Sequence, residues 1–150
     1  GWAAAMLAGA ALAAPASAQE RTPPYWASID ASRAIMRRGP SQDMRAMWEY
    51  RRPGLPVRVI AIHDDWCQVE EPDGTRGWMH RSLLSGRRTA IVTGTAPQPV
   101  RAAARADAAI AYRAAPGVVA HLLGCADGWC DVDLGNSRRG YISVDAIWGD

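Results

Sequence analysis

The chain has 150 residues, of which 49% are hydrophobic and 21% charged, and its formal net charge at pH 7 is +2. This composition excludes a disordered chain, and the small net charge argues against a nucleic-acid partner. The length allows one ordinary domain or two very small ones. Four arginine pairs are interleaved with acids along the chain and are predicted to lie in solvated loops: Arg37–Arg38, Arg51–Arg52, Arg87–Arg88 and Arg138–Arg139.

Residues 1–18 are typical of a signal peptide. An apolar run covers residues 2–14, Pro15 ends it, and small residues follow, so cleavage is predicted between Ala18 and Gln19. Because an initiator Met and a basic segment are missing before this run, we expect the signal peptide to begin upstream of the sequence. The run is shorter than the ~20 apolar residues that cross a bilayer, which argues against a membrane anchor. The sequence therefore predicts a periplasmic or secreted protein without stable membrane insertion after cleavage.

Export into an oxidising compartment decides how the three cysteines are interpreted. Cys125 and Cys130 enclose four residues suited to a hairpin connection, and residues that flank such a loop lie within disulfide reach. A disulfide here is predicted to stabilise the fold by roughly 2 kcal/mol. Cys67 is interpreted as a buried small hydrophobe, with an intermolecular link as the less favoured alternative. Three cysteines and scattered histidines do not provide four zinc ligands at finger spacing, so no metal or other cofactor is predicted.

An internal repeat organises the rest of the chain. The pattern Trp-Cys-x-Val at Trp66 recurs at Trp129, a displacement of 63 positions, and one residue of slippage aligns the region near Met36 with that near Val100. Five anchors share one register with a single gap, in which residues 36–37, 53–55, 66–69, 77–79 and 84 match 100–101, 116–118, 129–132, 140–142 and 147. The chain is therefore predicted to be a tandem duplication.

Alternating apolar residues and Gly-rich turns predict that each copy is built from short strands. Cys67 and Val69 are expected to face inward, with Trp66 and Gln68 on the opposite side, and copy two repeats this with Cys130 and Val132. The predicted units are residues 25–92 and 100–150, joined by a linker at residues 93–99. The strand Thr89–Val92 is compatible either with closing copy one or with opening copy two. The Ala-rich residues 101–115 are predicted to form a long loop with at most one helical turn, because their counterpart contains Gly39-Pro40-Ser41.

These motifs resemble the bacterial SH3-like (SH3b) family of small β-barrels found in exported proteins. The matching motifs are Met36-Arg37-Arg38-Gly39-Pro40-Ser41, Pro53-Gly54-Leu55, Asp65-Trp66 and Gly74-Thr75-Arg76-Gly77-Trp78-Met79 before Leu84. The second copy keeps Gly140-Tyr141-Ile142 but has Ala103-Ala104-Arg105 in place of the Gly-Pro-Ser step. The resemblance implies an all-β chain with two tandem SH3-like barrels behind the signal peptide, each with a short helical turn before its last strand.

The resemblance also implies a non-catalytic binding module that contacts peptidoglycan or a peptide in the cell envelope. The alternative is a protein–protein interaction or assembly component of an envelope complex, with an envelope protein as its partner. Aromatic residues are the candidate ligand platform, since flat rings suit sugars and peptide side chains. The candidates are Trp66, Trp78, Trp129, Tyr141, Trp48 and Tyr50, which Tyr112 extends. The competing interpretation, favoured for most of them, is that they complete small cores lacking Phe.

Catalysis is not predicted, and no catalytic residue is assigned. A remote alternative is a cell-wall thiol hydrolase in which Cys67 is the nucleophile and His63 or His80 the base. Cys67 lies within a predicted strand rather than at a helix N-terminus, and its counterpart Cys130 has no matching His. Adjacent carboxylates such as Asp64 and Asp65 point to opposite faces of a strand and do not make an acid/base pair.

Overall fold

A computed structural model describes Gly9 and residues 21–150 of the chain. Except for Gly9, the predicted signal peptide lies outside the described residues, and so does its cleavage site. Within them the fold is all-β with two short 3₁₀ helices, so the predicted fold class is confirmed. No helix in this part of the chain has the length and apolar composition needed to cross a lipid bilayer.

Across residues 21–150, fourteen strands form two antiparallel sheets of seven. The first sheet contains β1 (Tyr25–Ile29), β2 (Ala34–Arg37), β3 (Ala46–Tyr50), β4 (Pro56–His63), β5 (Trp66–Glu70), β6 (Arg76–His80) and β7 (Leu84–Ser85). The second contains β8 (Thr89–Val92), β9 (Gln98–Arg101), β10 (Ile110–Ala114), β11 (Val119–Ala126), β12 (Trp129–Asp133), β13 (Arg139–Ser143) and β14 (Ile147–Trp148). The 3₁₀ helices Arg81–Leu83 and Val144–Ala146 precede the last strands, as the resemblance implied.

The two sheets have the same strand order, which confirms the duplication. The first runs β3-β2-β6-β5-β4-β1-β7 and the second β10-β9-β13-β12-β11-β8-β14. The register also repeats, since Ala27 lies opposite Val57 in the first sheet and Ala90 lies opposite Ala120 in the second. Both pairs are separated by the same 63 positions that relate the sequence anchors.

This topology corrects the predicted division of the chain. The strand Thr89–Val92 pairs with β11 and β14. It therefore opens the second unit, and the first unit ends before it rather than at residue 92 as predicted. The predicted linker at residues 93–99 is wrong as well, because residues 93–97 connect β8 to β9 inside the second unit and β9 begins at Gln98. Residues 86–88 join the two units. The physical reason is that Ala90 and Val92 enter the buried interior of the second sheet.

The Ala-rich segment is a loop followed by a strand. Residues 102–109 form the loop, which a hydrogen bond from the amide of Ala102 to the carbonyl of Ala109 closes (2.8 Å). The strand β10 then pairs with β9 and buries Ala114, so the prediction of a long loop is wrong for residues 110–114. Helix propensity is outweighed here because pairing with β9 satisfies the backbone and buries apolar surface.

Each sheet bends around its own core. The inward residues of the first include Cys67, Val69 and Met79, and those of the second Cys130 and Val132, so the predicted facing of both copies is confirmed. The outward neighbours of these residues are half-buried. Alternation of side chains along each strand produces this division.

Gly77 and Gly140 allow β6 and β13 to cross β2 and β9 closely. A Cβ on Gly140 would lie 2.8 Å from the carbonyl oxygen of Arg101 and 2.7 Å from the Val100 side chain. A Cβ on Gly77 would collide with the Met36 side chain and lie 3.2 Å from the carbonyl oxygen of Arg37. Only glycine leaves this space open, which explains why both copies place it before their aromatic residue.

The two units contact each other directly. The buried hydroxyl of Thr89 donates to the carbonyl of Gly54 (2.6 Å), and the Arg52 guanidinium donates to the carbonyl of Gly117 (2.7 Å). The rings of Trp26 and Trp148 meet edge to face with centroids 4.7 Å apart.

The prediction that all four arginine pairs lie in solvated loops is wrong for some of their members. Arg37 and Arg139 lie on strands β2 and β13. Arg52 and Arg88 hydrogen-bond to backbone carbonyls at the junction of the units, where Arg88 donates to Gly149 (2.9 Å).

Candidate functional site

The equivalent aromatic residues of the two units lie on the outer faces of the sheets. On β5 and β6, Cys67 and Met79 point into the core, so Trp66 and Trp78 point outward. All four aromatic positions in the two units are half-buried, and no buried core cluster in the described residues includes them. We call the surface around each pair an outer aromatic face.

The first outer aromatic face joins three strands. Trp78 lies opposite Gln68 on β5 and opposite Arg37 on β2. Trp66 lies opposite His80, and their rings meet edge to face at 5.3 Å between centroids. Since Gln68 follows Trp66 by two positions on the same strand face, the two indoles are diagonal neighbours. The arrangement is a strip of flat rings with a cation and an amide beside it.

The second outer aromatic face repeats this plan with different neighbours. Tyr141 lies opposite Asp131 on one side and Arg101 on the other. Trp129 lies opposite Ser143. The Arg139 guanidinium binds the Asp131 carboxylate at 3.1 Å, so this face carries an acid where the first has Gln68. Both outer aromatic faces therefore share an aromatic residue that lies opposite an arginine.

Two other predicted ligand residues lie elsewhere. Tyr50 is 8% exposed and belongs to the first core, where its hydroxyl lies 3.9 Å from the Met36 sulfur, so it does not lie on the outer aromatic face. Trp48 is 61% exposed but lies opposite Met36 on the edge strand β3, away from the outer aromatic face. Its counterpart Tyr112 packs against the second core. Trp48 and Tyr50 lie opposite Met36 and Ala34 and share one face of β3, so alternation along the strand does not separate their roles, and only the surrounding packing does.

The cysteine and histidines of the thiol alternative are not brought together. Cys67 lies between Ile62 and Met79, whereas His63 and His80 flank Trp66 on the opposite side of β5. Burial raises the pKa of the Cys67 thiol, and a hydrogen bond with Tyr25 only partly offsets this. A raised thiol pKa opposes formation of the nucleophilic thiolate.

The predicted disulfide between Cys125 and Cys130 is present, with Cα atoms 4.1 Å apart on paired strand positions. Asp127 and Gly128, both with positive φ, make the two-residue turn between them. The Asp150 carboxylate and the two sulfurs lie within 4.8 Å of one another. Because the sulfurs are bonded to each other, they are not available as thiolate ligands, and this group does not fit a metal.

A cleft between the two units was not anticipated from the sequence. Its volume is about 470 Å³, and its lining includes Asp30 and Arg52 from the first unit, Arg87 from the connecting segment, and Val119 and His121 from the second unit. A signal was present in the repeat itself, because the charged residues of the cleft differ in kind from their counterparts 63 positions later. Without the topology nothing indicated that these positions meet.

Residues 30–86 and 94–149 each match the family model for the bacterial SH3 domain. The chain belongs to the bacterial SH3 domain family. The first matched segment contains β2 to β7 and the second contains β9 to β14, so each covers six of the seven strands of one sheet and leaves out its first strand, β1 or β8. No curated protein matches the chain.

Solved structures similar to the chain include NlpC2 and NlpC1 from Trichomonas vaginalis, each 11% identical to it. The similarity covers 87% and 89% of this chain, with TM-scores of 0.38 and 0.39. The chain spans about half the length of these proteins, namely 50% and 49%. TM-scores below 0.5 do not establish a common overall arrangement.

Proposed function

We propose that the chain is a non-catalytic, exported binding module that holds peptidoglycan or a cell-envelope peptide through its outer aromatic faces. The observation that carries the proposal is the repeated position of Trp66 and Trp78, and of Trp129 and Tyr141, outside both cores. Membership in the bacterial SH3 domain family supports it, because domains of this family commonly bind cell-wall components.

The chemistry of the faces suits such a ligand. Aromatic rings lose little conformational entropy on binding and present flat apolar surfaces to sugar rings and peptide side chains. Arg37 and Arg101 lie beside the rings and each donates to a loop carbonyl, of Met44 (3.1 Å) and Ala108 (2.8 Å). Their remaining N–H groups can donate to carboxylates or carbonyls of a ligand. Two faces on one chain favour a polymer with repeated units, since the second contact is then intramolecular.

Sedimentation with isolated cell-wall sacculi tests the proposal. We expect the mature protein, residues 19–150, to pellet with sacculi above the background of an unrelated protein. The double variants Trp66→Ala/Trp78→Ala and Trp129→Ala/Tyr141→Ala should each lower the affinity about tenfold through loss of ring contacts. The control Ile62→Ala removes an apolar side chain that is 44% exposed and lies opposite Cys67, on the side of the sheet away from Trp66.

Circular dichroism of each variant separates loss of binding from loss of folding. The proposal is wrong if the wild-type protein does not pellet above background, or if folded variants of both faces bind as well as Ile62→Ala. The statement that the module is non-catalytic has its own test. The variant Cys67→Ser is expected to leave the cellular role of the protein unchanged.

A specific observation favours the alternative of an assembly component. Met44, Met47 and Trp48 are 46%, 37% and 61% exposed around the β2–β3 hairpin, and β3 is an edge strand. Exposed apolar residues on a sheet edge are typical of protein–protein contacts. Affinity capture from envelope extracts would identify a stoichiometric partner, and its loss with Trp48→Ala would favour this alternative over sacculus binding.

A further inference from the structure

The cleft between the two SH3 domains has the volume of a small-ligand site. Its walls come from the end of β1, the loop at residues 52–54, the segment Ser85 to Arg87 and the start of β11. A volume of about 470 Å³ lies within the usual range for such sites, roughly 300–1,000 Å³. Both SH3 domains are needed to form it, because Val119 and His121 belong to the second.

The cleft is held open by contacts that do not involve a ligand. Two hydrogen bonds hold the two domains together at the cleft, one from Thr89 to Gly54 and one from Arg52 to Gly117. The Trp26–Trp148 contact adds an aromatic pair to the same junction. A preformed site binds without the cost of ordering its walls.

The charges in the cleft are unbalanced toward positive. Two arginines, Arg52 and Arg87, line it together with His121, against the single carboxylate of Asp30. The Arg87 side chain makes no hydrogen bond or ion pair with any other residue in the described part of the chain. Arg52 donates through one nitrogen to Gly117, which leaves its other N–H groups for a ligand. Guanidinium groups match carboxylates in charge and in planar geometry.

These charges are specific to the place where the domains meet. At 63 positions further on, Asp30, Arg52 and Arg87 correspond to Thr93, Ala115 and Asp150. A requirement of the SH3 fold would appear in both copies. The set is therefore not needed for folding one domain, and it lies in the first domain and in the connecting segment, where both line the cleft.

We propose that this cleft is a second binding site, which takes a carboxylate-bearing peptide. The carboxylate lies against Arg52 and Arg87, and Asp30 receives an ammonium group or backbone N–H of the same peptide. The source of the peptide, the cell envelope, rests on the proposed function, whereas the existence of the site rests on the cleft alone.

Nuclear magnetic resonance titration of the mature protein tests this proposal. The probes are soluble stem peptides released from sacculi, the same peptides with their carboxylates amidated, and inorganic phosphate alone. We expect the free-acid peptides to shift the amide signals of Ser28, Gly54 and His121, and the amidated peptides to leave them unchanged. Arg87→Gln should weaken binding about tenfold or more, because it removes a charged donor. Arg38→Gln removes an exposed arginine outside the cleft and should bind as the wild type does.

Each other outcome counts against the site or against its ligand. Equal binding of amidated peptides, or unchanged binding by Arg87→Gln, would overturn the role of the arginines. Equal shifts with phosphate would show a general anion site and overturn the peptide assignment. If sacculi pellet but peptides shift only signals near Trp66 and Trp78, this inference fails and the proposed function stands. If sacculi do not pellet while the cleft signals shift with peptide, the proposed function fails and the site stands.

Discussion

The first and second SH3 domains share strand order and register, but different residues complete them. At the end of the β11–β12 hairpin the second domain has the Cys125–Cys130 disulfide, whereas the first has exposed Ile62 opposite buried Cys67. Where the second domain packs Leu134 against its core, the first has Glu71. The comparison shows that the fold depends on the alternating inward residues and on the crossing glycine, while the hairpin end and the neighbouring turn tolerate different chemistry.

The largest effect is expected where the two domains are most alike. Gly140→Ala should destabilise the second domain by about 3 kcal/mol, because the new Cβ meets the backbone oxygen of Arg101 and this strand cannot move aside easily. Gly77→Ala should cost about 1–2 kcal/mol, since most of its collision is with the flexible Met36 side chain. Urea unfolding of the two variants measures the difference. Equal losses would show that the backbone contact does not limit the second domain.

An intermediate effect is expected at the hairpin end. Cys125→Ser leaves a buried thiol at Cys130, as the first domain has at Cys67, and should destabilise the second domain by about 2 kcal/mol. Ile62→Cys makes the reverse change, because Ile62 lies directly opposite Cys67. We expect it to consume the free thiol of Cys67 in a titration under denaturing conditions and to stabilise the first domain. A thiol that remains free in Ile62→Cys would show that the two hairpins are not equivalent.

The smallest effect is expected at the position of Glu71. Burial, and then the nearby carboxylate of Asp73, raise the pKa of Glu71. The unfolded chain therefore releases this proton first, and the first domain loses stability as the pH rises from the ordinary carboxyl pKa through the raised value. Glu71→Gln should remove this decline and be slightly more stable than the wild type at neutral pH. Thermal unfolding across that pH window measures it, and parallel curves would contradict the assignment.

The candidate site was predictable in part. The facing of Trp66 and Trp78 follows from the alternation around Cys67 and Met79, which any strand imposes. The burial of Tyr50 and the exposure of Trp48 did not follow, because both lie on the same face of the edge strand β3 and only tertiary packing covers one of them. The cleft could not be predicted at all, since its lining comes from separate elements of both domains and from the segment that connects them.

The sequence by itself determined the duplication, the inward residues and the disulfide, because these depend on a repeat, on the two-residue period of a strand and on a short hairpin. Only the tertiary structure decided that Thr89–Val92 opens the second domain and that residues 86–88 connect the domains. A short apolar strand carries no local information about its partner, and β8 finds its partner β11 far along the chain. The same long-range pairing brings the second domain against Arg52 and Arg87, and so it creates the cleft.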